Sequence, residues 1–366
     1  MPRSLLFVGS CNRGLPYVPL THGRGISAYD VDVETGAARL LEVFEDIDNP
    51  TFLTVSPDGR SLYAASEMAG AVDGTITAFA IERATGGLTR LGARPSEGYT
   101  PAHISLDPAG ALVAAANYGD VAADKRPAGE AIVVYRRDPS GALSPVIARA
   151  AHGGSGPDRS RQERPHPHCV GWTPDGRFLV VSDLGVDRLL IYRLTIGGLI
   201  AHGEVALPPG SGPRHFTFHP NGRFAYVVTE MGSTVVSFAF DAGHAGFRLL
   251  DVASTIPAGA RANTGAAIAL TPDGRHVLAS NRGDDSVARL AIDAGGVARF
   301  TETTPSGGRT PRDFTFDPGG RLLAVANQNS DNVALFRYER SSGSLTPLAS
   351  IGVGSPTVVA FYPDPA

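Results

Sequence analysis

Seven times along the chain, a short run of β-forming residues ends in the same punctuation, a proline followed by Asp, Asn, Ala or Gly. The copies are NPTFLTVSPDGR (49–60), TPAHISLDPAG (100–110), HPHCVGWTPDGR (166–177), GSGPRHFTFHPNGR (210–223), TGAAIALTPDGR (264–275), TPRDFTFDPGGR (310–321) and GSPTVVAFYPD (354–364). Their anchor prolines, Pro57, Pro108, Pro174, Pro220, Pro272, Pro318 and Pro363, lie 51, 66, 46, 52, 46 and 45 residues apart. A period of this length is that of a four-stranded blade, which takes ~40–50 residues. Pro followed closely by Gly between two apolar runs is a turn with a mechanism: Pro fixes φ and Gly accepts positive φ. A second apolar run follows each of the first six turns, as in FAYVVTE (224–230), and a third follows that, as in STVVSFAF (233–240). A weaker fourth run often begins at a glycine, as in GGLTRLGA (86–93). The repeating unit is therefore read as a four-stranded antiparallel meander.

The seventh unit is incomplete, since residues 354–366 supply only its first strand. Three strands without a first one stand at the other end of the chain: SLLFVGS (4–10), GISAYDV (25–31) and ARLLEVF (38–44). Joining the two ends in one blade closes the ring and protects the strand edges. The expected fold is all-β, a seven-bladed β-propeller in a single domain spanning 1–366. Composition agrees. The 44 Gly and 28 Pro suit many tight turns, while 42% hydrophobic residues exclude a disordered Pro/Gly chain. Three stretches exceed a normal turn, at 12–24, 120–129 and 151–165, and long loops in compact domains are usually functional or mobile. The last of them carries Arg159, Arg161 and Arg164 beside Asp158 and Glu163.

The net charge of −4 comes with no basic stripe, so nucleic acid is not an expected partner. The N-terminal apolar run is too short for a signal peptide, and no run approaches the ~18 residues of a membrane span. Two cysteines, Cys11 and Cys169, make no disulfide framework. A soluble, cytoplasmic monomer or weak dimer is expected.

In such a meander the start of the first strand and the end of the second lie on one face, so these positions from all blades converge on one mouth. Six residues before the anchors stand Thr51, Ala102, His168, Arg214, Ala266, Arg312 and Thr357. The next residues are Phe52, His103, Cys169, His215, Ala267, Asp313 and Val358. Ten residues after the anchors stand Glu67, Tyr118, Leu184, Glu230, Arg282 and Gln328, preceded at four of them by Asn117, Asp183, Asn281 and Asn327. A repeat kept only for structure would keep its residues here, yet these vary and are rich in charge and imidazole. His168, Arg214, Glu230 and Arg282 form the densest group and are taken as catalytic. Arg binds carboxylate or phosphate through two parallel hydrogen bonds, and His moves protons near neutral pH. His166, His103, Asn117, Asn281, Arg312 and Gln328 are candidate substrate contacts.

The plainer reading is that such side chains hold water and bridge blades. His103 and His215 also fit packing roles, His166 a turn role, and Asp58, Asp175 and Asp273 turn roles. Trp172, Phe216 and Phe218 fit inter-blade core. Cys169 neighbours His168, but successive strand residues face opposite ways, which argues against a cysteine nucleophile. His166, His168 and Glu230 could approach a metal, but no spacing demands one, and neither metal nor cofactor is expected.

At these residues the chain resembles the seven-bladed lactonase family of propellers. The stretches that carry the likeness are 166–192 (HPHCVGWTPDGRFLVVSDLGVDRLLIY), 210–230 (GSGPRHFTFHPNGRFAYVVTE), 279–287 (ASNRGDDSV) and 310–333 (TPRDFTFDPGGRLLAVANQNSDNV). It runs from about residue 5 to the end. The resemblance implies ring-opening hydrolysis of a sugar lactone, as in the family's 6-phosphogluconolactonase, with a small anionic lactone as partner. The family also holds a carboxy-muconate lactonizing enzyme that closes the ring. Its site of one His, two Arg and one Glu falls by motif on His168, Arg214, Glu230 and Arg282. One departure stands out: where members often carry an acid and a histidine in an AAEIH-like stretch, this chain reads GAAIALT, placing Ala267 and Ala269 there. A cycloisomerase using the same four residues and a propeller that binds a protein partner are the two rival readings.

Overall fold

The computed structural model describes residues 3–18, 20–68, 73–119 and 130–363; the long stretch 120–129 lies outside them. Seven four-stranded antiparallel sheets account for nearly all regular structure. Each blade is a meander whose first strand is innermost. The inner strands are β4 (Pro50–Val55), β8 (Pro101–Leu106), β12 (Pro167–Trp172), β16 (Pro213–Phe218), β20 (Thr264–Leu270), β24 (Pro311–Phe316) and β28 (Pro356–Phe361). They neighbour one another in a closed ring. The seventh blade joins the two ends of the chain in the order β28, β1 (Arg3–Ser10), β2 (Ile26–Asp32), β3 (Ala38–Phe44), with Val8 opposite Val359 and Phe7 opposite Ala360.

The turns after the inner strands work as their sequence suggests. Asp58, Asp175 and Asp273 each accept a hydroxyl hydrogen bond from two residues before, Ser56, Thr173 and Thr271, and a backbone bond from Arg60, Arg177 and Arg275. Gly59, Gly176, Gly222 and Gly274 follow at φ between 67° and 70°, where a side chain would be strained. These carboxylates are turn residues.

What holds the ring is packing between blades. The second strands are buried along their length, as in β5 (Ser61–Ser66), β17 (Phe224–Thr229) and β25 (Leu322–Asn327). One core cluster joins Tyr63, Ala65 and Ile76 of the first blade to Ile104, Val113 and Tyr135 of the second. The closing blade is gripped on both sides, by Leu322, Ala324 and Leu335 against Leu6 and Val8, and by Leu53 and Leu62 against Phe7 and Ile26. Each such aliphatic side chain contributes ~1.5–3 kcal/mol, so losing either seam would open the ring. Trp172 packs between the second and third blades, and Phe216 and Phe218 between the third and fourth.

One irregularity recurs where it matters. In all seven blades the pairing of inner and second strand slips at the mouth end, leaving out Thr51, Ala102, His168, Arg214, Arg312 and Thr357, and both Ala266 and Ala267 in the fifth blade. Six of these strands open with proline, at Pro50, Pro101, Pro167, Pro213, Pro311 and Pro356, the one strand position where a missing N–H costs little. The residues before four of them, Asn49, Thr100, Thr310 and Ser355, hold φ between 40° and 58°, a strain worth roughly 1 kcal/mol each that surrounding structure must impose. A bulge re-aims its extra side chain, and here it aims one residue per blade at the channel mouth.

Candidate active site

A cavity of about 410 Å³ opens at this mouth, lined by His168, Glu230, Arg282 and Arg312, by Glu67 and Tyr118, and by residues of the loops at 12–24 and 151–165. Glu67, Tyr118, His168, Glu230, Arg282 and Arg312 come from bulged or second-strand-end positions, one on each of six successive blades. Glu230, at the end of β17, is the hub. Its Oε2 forms ion pairs with Nη2 of Arg282 at 2.7 Å and Nε of Arg214 at 3.2 Å, and its Oε1 accepts a hydrogen bond from Nη2 of Arg161 at 2.5 Å. Burial alone would raise the Glu230 pKa, but Arg282, Arg214 and Arg161 outweigh it and hold the carboxyl well below its usual range.

Arg214 is 2% exposed and forms the floor under Glu230. Its Nη1 donates to the Ala266 carbonyl at 2.7 Å, while the Gly265 carbonyl receives Nη2 of Arg282 at 2.9 Å. Two consecutive carbonyls of one inner strand thus fix both guanidiniums. Gly265 must be glycine: a Cβ there would lie 2.5 Å from the Thr229 carbonyl oxygen. Burial, Arg282 and Arg312 pull the Arg214 pKa below the ordinary arginine range. Burial, then Arg214 and Arg312, push His168 well below 6.5, so its imidazole is neutral at physiological pH.

Glu67 stands at the register position of Glu230 three blades away. It accepts the Thr51 hydroxyl at 2.8 Å and the Tyr17 hydroxyl, and Arg312 stands 3.9 Å off with its guanidinium 4.6 Å from the Tyr17 ring centre. Three guanidiniums (Arg161, Arg282, Arg312) against two carboxylates (Glu67, Glu230) leave a net charge of 3 − 2 = +1 on the cavity lining, and beneath it the Arg214 guanidinium is opposed by the Asp313 carboxyl.

The remaining sequence candidates fall elsewhere. Asn117 and Asn281 are corrected to loop braces: Asn117 donates to the carbonyls of Ser96 and Glu130, and Asn281 to the Thr255 carbonyl and Ser286 hydroxyl. Asn327 repeats this on the Ser306 carbonyl. The position one before the mouth residue thus anchors the inter-blade crossing. His103 lies below the cavity floor, its ring 4.1 Å from Phe52 and its Nε2 3.4 Å from the Cys169 sulfur. His215 sits beside it, 5.3 Å from both the His103 and His168 rings. Burial lowers the pKa of both histidines and raises the Cys169 thiol to about 12, so Cys169 is no nucleophile. His166 is buried behind Tyr118, stacked on its ring at 4.5 Å, with its ring nitrogens turned to the Tyr118 carbonyl and Glu163. Gln328 is buried with its amide on Asn329. Among the described residues no three His, Cys, Asp or Glu side chains are grouped to hold a metal.

Four cavity residues escape the repeat: Leu15, Pro16, Tyr17 and Arg161 come from loops outside the blade register. The only trace of them in the sequence is the unusual length of 12–24 and 151–165 and the charge of the second. The departure at Ala267 and Ala269 lies under the floor, where both pack with Leu278, Phe314 and Leu323.

The sequence signature described as "Lactonase, 7-bladed beta-propeller" matches residues 5–361. Similar proteins include a 6-phosphogluconolactonase of Bacillus subtilis, 34% identical with 99% of each chain covered. Another is a 6-phosphogluconolactonase of Formosa agariphila, 31% identical over 94% of this chain and 95% of that one. Among solved structures, a periplasmic gluconolactonase of Pseudomonas aeruginosa superposes with a TM-score of 0.89 at 34% identity, covering 99% of both chains. A chain described as a putative 6-phosphogluconolactonase from Bacteroides fragilis gives 0.86 at 29% identity, covering 98% of both. With its signature, its fold and its length all matched, this chain belongs to the seven-bladed β-propeller lactonase family of enzymes.

Proposed function

We propose that the enzyme adds water across the ester of a sugar-derived acidic lactone of the 6-phosphogluconolactone kind, without a metal. The observation that carries this reading is the cavity of about 410 Å³ lined by three guanidiniums and two carboxylates, with Arg214 buried beneath them. It has the size of a small-molecule site, the positive charge an anionic substrate needs, and carboxylate and tyrosine oxygens that suit hydroxyl groups.

Lactone opening builds negative charge on the carbonyl oxygen. Arg214 and Arg282, fixed by the carbonyls of Ala266 and Gly265, are the donors assigned to it, and donors held before the reaction need no reorganisation. His168 is neutral and takes a proton from the attacking water as its oxygen bonds to the lactone carbon. As the ring C–O bond breaks, that proton passes to the leaving ring oxygen. The product is an open hydroxy acid, which releases its own proton to solvent. Glu230, with three guanidiniums on its oxygens, positions those cations and is a poor base. The two free cysteines, both buried, favour a cytosolic setting.

The test follows acid release by pH-stat on 6-phosphogluconolactone, gluconolactone, an aldarolactone and a muconolactone, with and without EDTA. Turnover unaffected by EDTA, and a His168→Asn variant slower in kcat by ~10²–10⁴-fold, would support the assignment. A folded enzyme that opens none of these lactones would overturn it.

A further inference from the structure

Arg161 differs from the other three guanidiniums around Glu230 and Glu67. It comes from a loop, whereas Arg214, Arg282 and Arg312 sit at register positions of the blades. Its side chain is 37% exposed, whereas theirs are 2%, 14% and 12% exposed. It lies at the cavity lip, where Nη2 contacts Glu230 of the fourth blade at 2.5 Å and the Tyr118 hydroxyl of the second at 3.3 Å.

The loop that carries it is built to hold a position. At its base, Nδ1 of His152 meets Oδ2 of Asp183 at 2.6 Å, both side chains essentially without exposure. Asp183 Oδ1 then accepts the backbone N–H of His166 and Gly185. Next to Arg161, Gln162 is fully buried. Its amide donates to the Leu184 carbonyl at 2.8 Å, its side-chain oxygen accepts the Asp158 N–H, and its backbone closes a turn on Asp158. Gly156 packs so closely on Gln162 that a Cβ there would stand 2.4 Å from its oxygen. A loose surface loop does not need a buried His–Asp hydrogen bond and a buried glutamine. The scaffold fixes the one residue between them that reaches the cavity.

Charge supplies the role. The blade-borne groups that line the cavity cancel, Arg282 and Arg312 against Glu67 and Glu230, 2 − 2 = 0. Arg161 adds the one net positive charge of the cavity lining, at its solvent end, where the far end of a lactone chain would emerge. We propose that Arg161 is the specificity residue that reads a phosphate monoester on the substrate, using the planar guanidinium fork that suits phosphate oxygens. This rests on the lactonase reading above and names the substrate class within it.

The test compares wild type with Arg161→Ala and Arg161→Lys, each checked for an unchanged melting curve, on 6-phosphogluconolactone and gluconolactone. A charged hydrogen-bonded pair sets the scale at roughly 10–100-fold. The ratio of kcat/KM for phosphorylated over free lactone is expected to fall by about that factor in Arg161→Ala, mainly through KM, and to recover only partly in Arg161→Lys. Competitive inhibition by inorganic phosphate should be weaker in Arg161→Ala than in the wild type, in parallel. Equal losses on both substrates would mean that Arg161 acts through Glu230 on the chemistry, and no loss on either would make it a surface residue; each result overturns the proposal. A wild type that opens neither lactone would instead defeat the lactonase reading, so the two failures are separable.

Discussion

Glu230→Gln asks whether the buried carboxylate holds the site together or acts as its base. The change is nearly isosteric, so packing is kept. It removes one negative charge from between Arg282, Arg214 and Arg161, at 2.7, 3.2 and 2.5 Å, and points an amide N–H toward cations. Breaking a buried ion pair on one side costs ~3–5 kcal/mol, because the surviving charge stays buried and unpaired. Unfolding entropy near 60 °C is ~2.1 cal/mol/K per residue, which over 366 residues gives about 0.77 kcal/mol/K. The melting temperature at pH 7 should therefore fall by about 4–6 °C in scanning calorimetry. Phosphate should narrow the gap by occupying the vacated charge. On acidification the gap should narrow too. The folded pKa of Glu230 is depressed, so its stabilisation is full above the unfolded value near 4.5 and is lost as pH falls toward the folded one. Activity should fall by ~10²–10³-fold as the oxyanion donors lose their positions. A variant that melts with wild type yet loses all activity would refute this reasoning and make Glu230 a chemical participant.

Two further outcomes follow from buried titratable groups. The His168 pKa is depressed by burial, Arg214 and Arg312, so the acid limb of kcat/KM should lie well below the ordinary histidine range and shift upward in Arg312→Gln; an inflection at 6.5 in wild type would contradict the neutral-base assignment. Asp313 is raised to about 6 by burial, against weaker opposing effects of the Val359 N–H, Arg214 and Arg312; its contribution is full below its unfolded pKa near 3.8 and lost as pH rises through 6, a difference of up to about 3 kcal/mol. Asp313→Asn should then melt with wild type at pH 4 and about 4 °C above it at pH 7.5, and a constant difference across that range would rule the account out.

The ring was legible because a propeller writes its period into the chain. Seven anchor prolines counted the blades, and the missing strands at one end matched the surplus at the other. The mouth residues were legible for the same reason, since a fixed offset from each anchor selects one place in every blade. That logic named His168, Arg214, Glu230, Arg282 and Arg312 without coordinates. It failed at Asn117 and Asn281 because offset says which end of a strand a residue occupies, not which way its side chain turns. A pleated strand sends neighbours to opposite sides, and these asparagines face the inter-blade crossing. His103 failed differently: it follows the bulged residue and points one layer deeper. Arg161 and Tyr17 could not be read at all, since their loops obey no period.

A sharper signal was present. In six of seven copies the mouth residue directly follows a proline: Thr51, Ala102, His168, Arg214, Arg312 and Thr357. Proline opening an inner strand, after a residue forced toward positive φ at Asn49, Thr100, Thr310 and Ser355, is the local cause of the bulge that turns the next side chain into the channel. The fifth blade has Thr264-Gly265 in place of that pair and leaves out two alanines. Its contribution is backbone: the carbonyls of Gly265 and Ala266 hold Arg282 and Arg214. A larger residue at Gly265 would collide with the Thr229 carbonyl. The absence of an acid and a histidine at Ala267 and Ala269 thus alters the packed layer beneath the floor, while the fifth blade still fixes the two guanidiniums on which the proposed chemistry depends.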